Sequence, residues 1–313
     1  MKAIQEYNII SNIIFSSEVM RMLSKITAII VAIVSFISSF AVKIPNEGEV
    51  FYDLAYGKSS RQIMDVAFPS GYEENRSVIL FLHGGGWISG DKSGFTAKVV
   101  PMSEKTGCIT ASMNYRYASG SVDCQDMLDD IDRALKKIRS MAKSRGVNAD
   151  KVMLVGFSAG GHLALLYSYT RKASAPIEPV AVVSYSGPTD FTSKKFVEKN
   201  ALSDADYMRS LLSKLTGEKI TAMNFDSKKK ALLKCSPINY VSADCVPTLI
   251  VQGAKDKIVY ASDTRNFVKK LKASGVTYKY YELPNSGHTL GGDEEAFEKS
   301  TKMFAAFIKK FLK

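Results

Sequence analysis

Five residues, Gly156-Phe157-Ser158-Ala159-Gly160, leave this 313-residue chain little choice of local structure. They fit G-x-S-x-G and sit between an apolar run, KVMLV at 151–155, and a helix predicted over 159–172. A serine on so tight a strand-to-helix turn has a strained backbone, and small residues around it let neighbouring segments pass closely. Its Oγ then projects from the end of the strand, at the positive end of a helix. A glycine-rich phosphate loop is the competing possibility. The run has neither the Walker lysine spacing nor G-x-G-x-x-G.

The hydrophobic pattern on either side supplies a sheet for that strand. Residues 50–56 and 63–68 read as a short meander, and 77–82 (SVILFL) as a strand buried on both faces. Residues 108–114 form a further strand. Residues 123–145 carry Met127, Leu128, Ile131, Leu135, Ile138 and Met141 at helical spacing, with aspartates in the first turns and Gly146 after the end. Strands at 180–185, 246–251 and 278–282 alternate with helices at 262–273 and 294–313. This order predicts an α/β fold, with a mostly parallel central sheet and helices on both faces. Residues 190–236 break the rhythm. They are polar and lysine-rich, and predict a small cap inserted over the C-terminal edge of the sheet, where open α/β folds bind ligands. Within them Leu211, Leu212 and Leu215 predict one short amphipathic helix.

Composition narrows the function classes. Lys+Arg exceed Asp+Glu by 42 to 31, a net charge of +11, but the lysines are scattered. No basic stripe interleaved with aromatics appears, so no nucleic-acid partner is expected. Residues 26–42, ITAIIVAIVSFISSFAV, are uncharged and follow Arg21 and Lys25, with Ser39 and Ala41 at the −3 and −1 positions of a cleavage site. These are the parts of a secretory signal peptide over about 20–41, with a natural start at Met20 or Met22 and a mature chain of 42–313. The alternative is an uncleaved membrane anchor. Cleavage predicts a secreted or periplasmic protein without stable membrane association. Cys108, Cys124, Cys235 and Cys245 would then meet an oxidising compartment. Cys235 and Cys245 are close enough in sequence to close a loop; four small buried hydrophobes is the other reading. No CxxC is present, and no metal or organic cofactor is expected.

A serine nucleophile needs a base, and the base an orienting carboxylate. The chain has three histidines. His83 heads His83-Gly84-Gly85-Gly86-Trp87 and is expected to brace that loop. His162, one turn after Ser158, faces the packing of its helix rather than Oγ. His288, in the turn-rich PNSGH at 284–288, reaches the C-terminal edge of the sheet and is the base by position and elimination. Asp256 follows the strand TLIVQ directly and is the expected acid. Asp263 is its rival, but opens a helix and suits capping. Ser158, Asp256 and His288 are therefore the expected catalytic residues. Successive glycines after the strand at 77–82 free backbone N–H groups to face a carbonyl oxygen. Gly85, Gly86 and Ala159 are the expected oxyanion-hole donors. Trp87 either walls an acyl pocket or covers the core; both remain open.

The chain resembles the α/β-hydrolase esterases of the hormone-sensitive-lipase-like and acetylxylan/feruloyl-esterase-like (BD-FAE) type. The resemblance runs over about 50–313. It rests on HGGGW, GFSAGGHLA, DLAYGKSSRQIMDVAFP, SYSGPTDF and CSPINYVSADCVPTLIVQGAKDKIV. It implies an α/β-hydrolase fold and a serine carboxylesterase acting on short acyl esters, such as acetyl or feruloyl groups on carbohydrate. Ser158, Asp256 and His288 then take the triad roles, in the chain order of α/β hydrolases. Ile258-Val259-Tyr260 departs from the family, which often has a proline before the aromatic residue. An arylformamidase of the kynurenine-formamidase type shares the HGG-x-W and GxSAG pair. A non-catalytic hydrolase-fold binding protein predicts a damaged triad, and every position is intact. The resemblance leaves the oligomeric state open.

Overall fold

The computed structural model describes residues 48–71, 73–200 and 204–313. The expected signal segment at 20–41 lies outside them. Asn46–Lys313 form one compact unit around an eight-stranded sheet. In chain order the strands are β1 (Glu49–Ala55), β2 (Ile63–Phe68), β3 (Val78–Leu82), β4 (Ile109–Met113), β5 (Lys151–Phe157), β6 (Glu178–Tyr185), β7 (Thr248–Gly253) and β8 (Tyr278–Leu283). Their spatial order is β1-β2-β4-β3-β5-β6-β7-β8. β1 and β2 pair antiparallel, as does β2 with β4; every other pair is parallel.

Why this is a three-layer structure follows from the strand sequences. On β3, Val78, Leu80 and Leu82 join one buried cluster while Ile79 and Phe81 join another on the opposite face. On β5, Val152 and Leu154 divide from Met153 and Val155 in the same way. A strand with two dry faces must be apolar throughout, which is why these runs show no alternation. Helices α2 (Cys124–Ser144), α3 (Ala159–Thr170) and α7 (Ala261–Ala273) cover the first face, and α1 (Ser93–Thr106) and α8 (Glu294–Phe311) the second. Asp123 caps α2. Its carboxylate accepts from the N–H groups of Gln125 and Asp126, and Asp126 returns the bond. Helix α1 is not legible in the sequence: Pro101 lies inside it and its apolar residues form no stripe.

The chain leaves β3 for β4 on one side and returns to β5 on the other, so the order of strands reverses between β3 and β5. That crevice is where ligands bind in open α/β sheets, and the glycine runs HGGGW and GFSAG lie at the C-terminal ends of β3 and β5. Among the described residues of 190–236 lie three short helices, α4 (Lys194–Glu198), α5 (Ala205–Thr216) and α6 (Lys229–Lys234). Met208, Leu211, Leu212 and Leu215 of α5 are buried. A disulfide joins Cys124 at the start of α2 to Cys235 just after α6. This corrects the local Cys235–Cys245 loop. Residues 111 apart in sequence are brought together by the fold, and Cys245 remains a free, half-buried thiol.

Candidate active site

The elbow is built by backbone contact. A Cβ on Gly156 would lie 2.1 Å from the carbonyl oxygen of Gly160, and a Cβ on Gly160 would lie 2.1 Å from that of Leu82. Backbone atoms cannot withdraw, so both positions must be glycine. Ser158 between them adopts φ 53° and ψ −119°, a conformation L-residues avoid. Its N–H is held by the carbonyl of Tyr185 at 2.8 Å.

Ser158 Oγ lies 2.9 Å from His288 Nε2, and His288 Nδ1 lies 2.8 Å from Asp256 Oδ2. The fold thus brings three residues from loops after β5, β7 and β8 into one hydrogen-bonded chain. A carboxylate accepts only, so Nδ1 carries the proton and Nε2 presents its lone pair to the serine hydroxyl. The Asp256 side chain is wholly buried but well satisfied. Oδ1 accepts from the N–H groups of Ile258 and Val259, and Oδ2 also accepts from Gln252 Nε2 at 2.9 Å. Gln252 is itself buried and fixed by Thr264 Oγ1 and the Val259 carbonyl.

The His288 loop is pinned from below. Ser186, at φ 50°, donates from Oγ to the His288 carbonyl at 3.0 Å. Gly253 lies so close beneath that an added Cβ would meet the Gly287 oxygen at 2.2 Å. Neither Gln252 nor Ser186 stands out in the sequence, because a polar residue at a strand end reads as solvent-facing. Asp263 is not part of the chain. It lies in the first turn of α7 and accepts from Ser193 Oγ at 2.8 Å, and burial pushes its carboxyl up. It takes the expected first-turn place on that helix and also ties the insertion to the body.

The HGGGW loop approaches from the other side. Gly85 (φ 117°) and Gly86 (φ 59°) take conformations that favour glycine, and an added Cβ on Gly85 would meet the Ser89 oxygen at 2.2 Å. The loop closes on the Gly85 carbonyl, which accepts from the N–H groups of Ile88 and Ser89. Ala159 is the first residue of α3, so its N–H has no partner within the helix. His83 does brace the loop. Nδ1 donates to the Gly84 carbonyl at 2.6 Å, and Nε2 faces Arg61 Nη2 at 3.1 Å. Arg61 also donates to the Gly90 carbonyl. Burial pushes His83 down to about 4, so it stays neutral. Trp87 is 2% exposed and packed edge-on against His162 and Phe191. Of its two possible roles it takes that of core cover, and it does not wall an open pocket.

Among the described residues no group of three or more His, Cys, Asp or Glu is arranged to hold a metal ion. A cavity of about 630 Å³, lined by Arg76, Cys108 and Lys151 among others, opens at the N-terminal ends of the strands, away from Ser158.

Comparison with known proteins agrees with this frame. The BD-FAE family model matches residues 64–271. Probable carboxylic ester hydrolase LipM of Mycobacterium tuberculosis is 27% identical over 220 residues, covering 67% of this chain and 48% of that protein. The chain therefore spans about half the length of that curated relative. A truncated carbohydrate esterase from gut microbiota superposes with a TM-score of 0.65 at 19% identity, covering 84% of this chain and 97% of the other. A thermophilic esterase from Thermogutta terrifontis, solved with propionate bound, gives 0.62 at 22%, covering 86% and 95%. Likenesses this remote in sequence establish the α/β-hydrolase fold.

Proposed function

The chain belongs to the BD-FAE family, and from that premise we propose that it is a serine carboxylic-ester hydrolase acting on short acyl esters. The observation that carries the reading is the Ser158–His288–Asp256 chain, with bonds of 2.9 and 2.8 Å. Ser158 Oγ attacks the ester carbonyl as His288 Nε2 takes its proton. The C–O double bond opens to an oxyanion, received by the N–H groups of Gly85, Gly86 and Ala159. The intermediate collapses and expels the alcohol, which takes the proton from His288, leaving an acyl-serine. Water, deprotonated by His288, then attacks the acyl carbonyl; the Oγ–C bond breaks, the carboxylic acid leaves, and His288 returns the proton to Ser158 Oγ. Asp256 stabilises the imidazolium and fixes its tautomer.

The preference for short acyl chains rests on the cap. Met208, Leu211, Leu212 and Leu215 of α5 are buried in the core cluster, so this apolar face is not offered to a long chain. A pocket gains about 0.8 kcal/mol per buried CH₂ only while it has room. Acetyl or feruloyl groups on carbohydrate are the proposed natural substrates, in keeping with the carbohydrate esterase among the structural neighbours. The test is a screen of p-nitrophenyl acetate, butyrate and octanoate, acetylated xylan, methyl ferulate and N-formylkynurenine. Falling kcat/KM from acetate to octanoate is expected. Rising activity towards octanoate would point to a lipase, and hydrolysis of N-formylkynurenine alone to an arylformamidase.

Export is part of the same proposal. The Cys124–Cys235 disulfide suits an oxidising compartment. The mature protein is expected to begin near Val42, which N-terminal sequencing of secreted material tests. Membrane-bound protein retaining 20–41 would mean an anchor instead.

A further inference from the structure

Trp87 is the sole tryptophan of the chain, and it follows directly on Gly85 and Gly86. A Cβ built at Gly86 would meet open space, so close packing at that position does not fix the loop. The next residue holds this stretch twice: the Trp87 carbonyl accepts from the Ala118 N–H at 2.8 Å, and the indole is bonded as well. Trp87 Nε1 donates to His162 Nδ1 at 3.0 Å. His162 is wholly buried, and its Nε2 lies 2.7 Å from the carbonyl oxygen of Cys235. An indole N–H only donates and a carbonyl only accepts, so Nδ1 must carry the lone pair and Nε2 the proton. Burial pushes this histidine down to about 4, and the ring keeps one neutral tautomer.

Three parts of the molecule meet at this imidazole. Its own backbone N–H donates to the Ser158 carbonyl at 3.0 Å, one turn after the nucleophile. Nδ1 holds the loop that carries Gly85 and Gly86. Nε2–H holds the far end of the insertion, where Cys235 is in turn tied to Cys124. Phe191, at the near end of the insertion, packs 4.9 Å from the His162 ring and 5.5 Å from the Trp87 ring.

We propose that His162 is a positioning residue that sets the distance between the nucleophile and the oxyanion loop, by holding Trp87 on one ring nitrogen and the Cys235 carbonyl on the other. This rests on the reading of Ser158 as an acyl-transfer nucleophile. A loop that drifts relative to Ser158 misplaces its N–H groups for the tetrahedral intermediate and scarcely changes substrate binding. Loss of one oxyanion donor costs about 10²–10³ in kcat, so misplacement should cost about 10–100-fold.

The test uses the full chain in five forms: wild type, His162→Phe, His162→Gln, Trp87→Phe and the double Trp87→Phe/His162→Phe. Phe keeps a ring and removes both hydrogen bonds, whereas Gln can accept from one partner and donate to the other. On p-nitrophenyl acetate, well below the unfolding midpoint, His162→Phe and Trp87→Phe should each lower kcat about 10–100-fold with KM within about twofold. The Ki of a trifluoromethyl ketone, which forms an oxyanion adduct on serine, should rise by the same factor. The double variant should be no worse than either single, and His162→Gln should recover most of the loss. The single indole N–H signal in an NMR spectrum should shift in His162→Phe and return towards wild type in His162→Gln. Should His162→Phe fail to fold, Trp87→Phe carries the same measurement from the other end of the bond. Unchanged kcat and Ki in the folded variants of an active wild type would overturn this role alone. A wild type that neither turns over the ester nor binds the ketone would overturn the esterase reading and this role with it.

Discussion

The proposed acid–base side of Ser158 and the proposed oxyanion side are held by different means. Asp256 and His288 are fixed within the body of the sheet, by Gln252 on β7, by Ser186 at the end of β6 and by the close pass of Gly253 under Gly287. The HGGGW loop is fixed by side chains that lead outward, through Trp87 and His162 to Cys235 at the end of the insertion, and through His83 to Arg61. The first touches the insertion only at its margin, where Asn200 donates to the Ile258 carbonyl and Tyr260 to the Lys199 carbonyl. The second links the loop that carries Gly85 and Gly86 to the end of the insertion through buried side chains.

Attacking the relay should have the largest effect. Ser158→Ala and His288→Ala are each expected to reduce kcat by about 10⁶, because the triad acts as a unit. Asp256→Asn should cost about 10⁴ by supporting the wrong tautomer. Circular dichroism should show each variant folded, and initial rates on p-nitrophenyl acetate give the losses. Equal, small losses in all three would mean that the relay geometry is incidental.

On the other side, the disulfide is the tie that can be cut without touching the relay. It closes a loop across a sequence separation of 111, for which chain entropy gives up to about 4.7 kcal/mol, and native bridges typically contribute 2–4. Cys124→Ser/Cys235→Ser should lose about 2–4 kcal/mol in urea unfolding. Cys108 and Cys245, already free, should cost far less when replaced by Ala. Stability unchanged in the Cys124/Cys235 pair would contradict the staple.

A smaller effect separates the two sides by pH. His83 and His162, both on the oxyanion side, are pushed down to about 4 by burial, from an ordinary 6.5. Between those values the unfolded chain binds protons that the folded chain refuses. Stability from this source is complete above about 6.5 and is lost as pH falls, at about 1.4 kcal/mol per pH unit for each histidine. Below about 4 the loss stops growing. Urea midpoints between pH 7 and 5 should fall, and His162→Gln should remove about half of the slope due to these two groups. A flat profile would mean that both rings are hydrated in solution.

What the sequence disclosed follows the same division. The elbow, the expected base and acid, and the strands β3, β5 and β7 are legible because each is a local pattern: a buried run, then a glycine turn or a short loop carrying one polar residue. Bonds that cross the fold are not. Nothing in the sequence pairs Cys124 with Cys235, or sets Gln252 under Asp256. His162 reads as a helix-packing residue from its spacing alone, and its two polar contacts come from residues 75 and 73 positions away. Helix α1 escapes notice because its hydrophobic residues and Pro101 give no period to read.

The central claim, that Ser158 is a nucleophile activated by His288, is tested most directly by covalent labelling. Wild-type protein treated with a fluorophosphonate should gain the mass of one phosphonyl group, with loss of fluoride, and peptide mapping should place it on Ser158. Ser158→Ala should gain none, and His288→Ala should label slower by orders of magnitude. Wild-type protein that stays unmodified, or a label that forms as fast in Ser158→Ala as in wild type, would contradict the account.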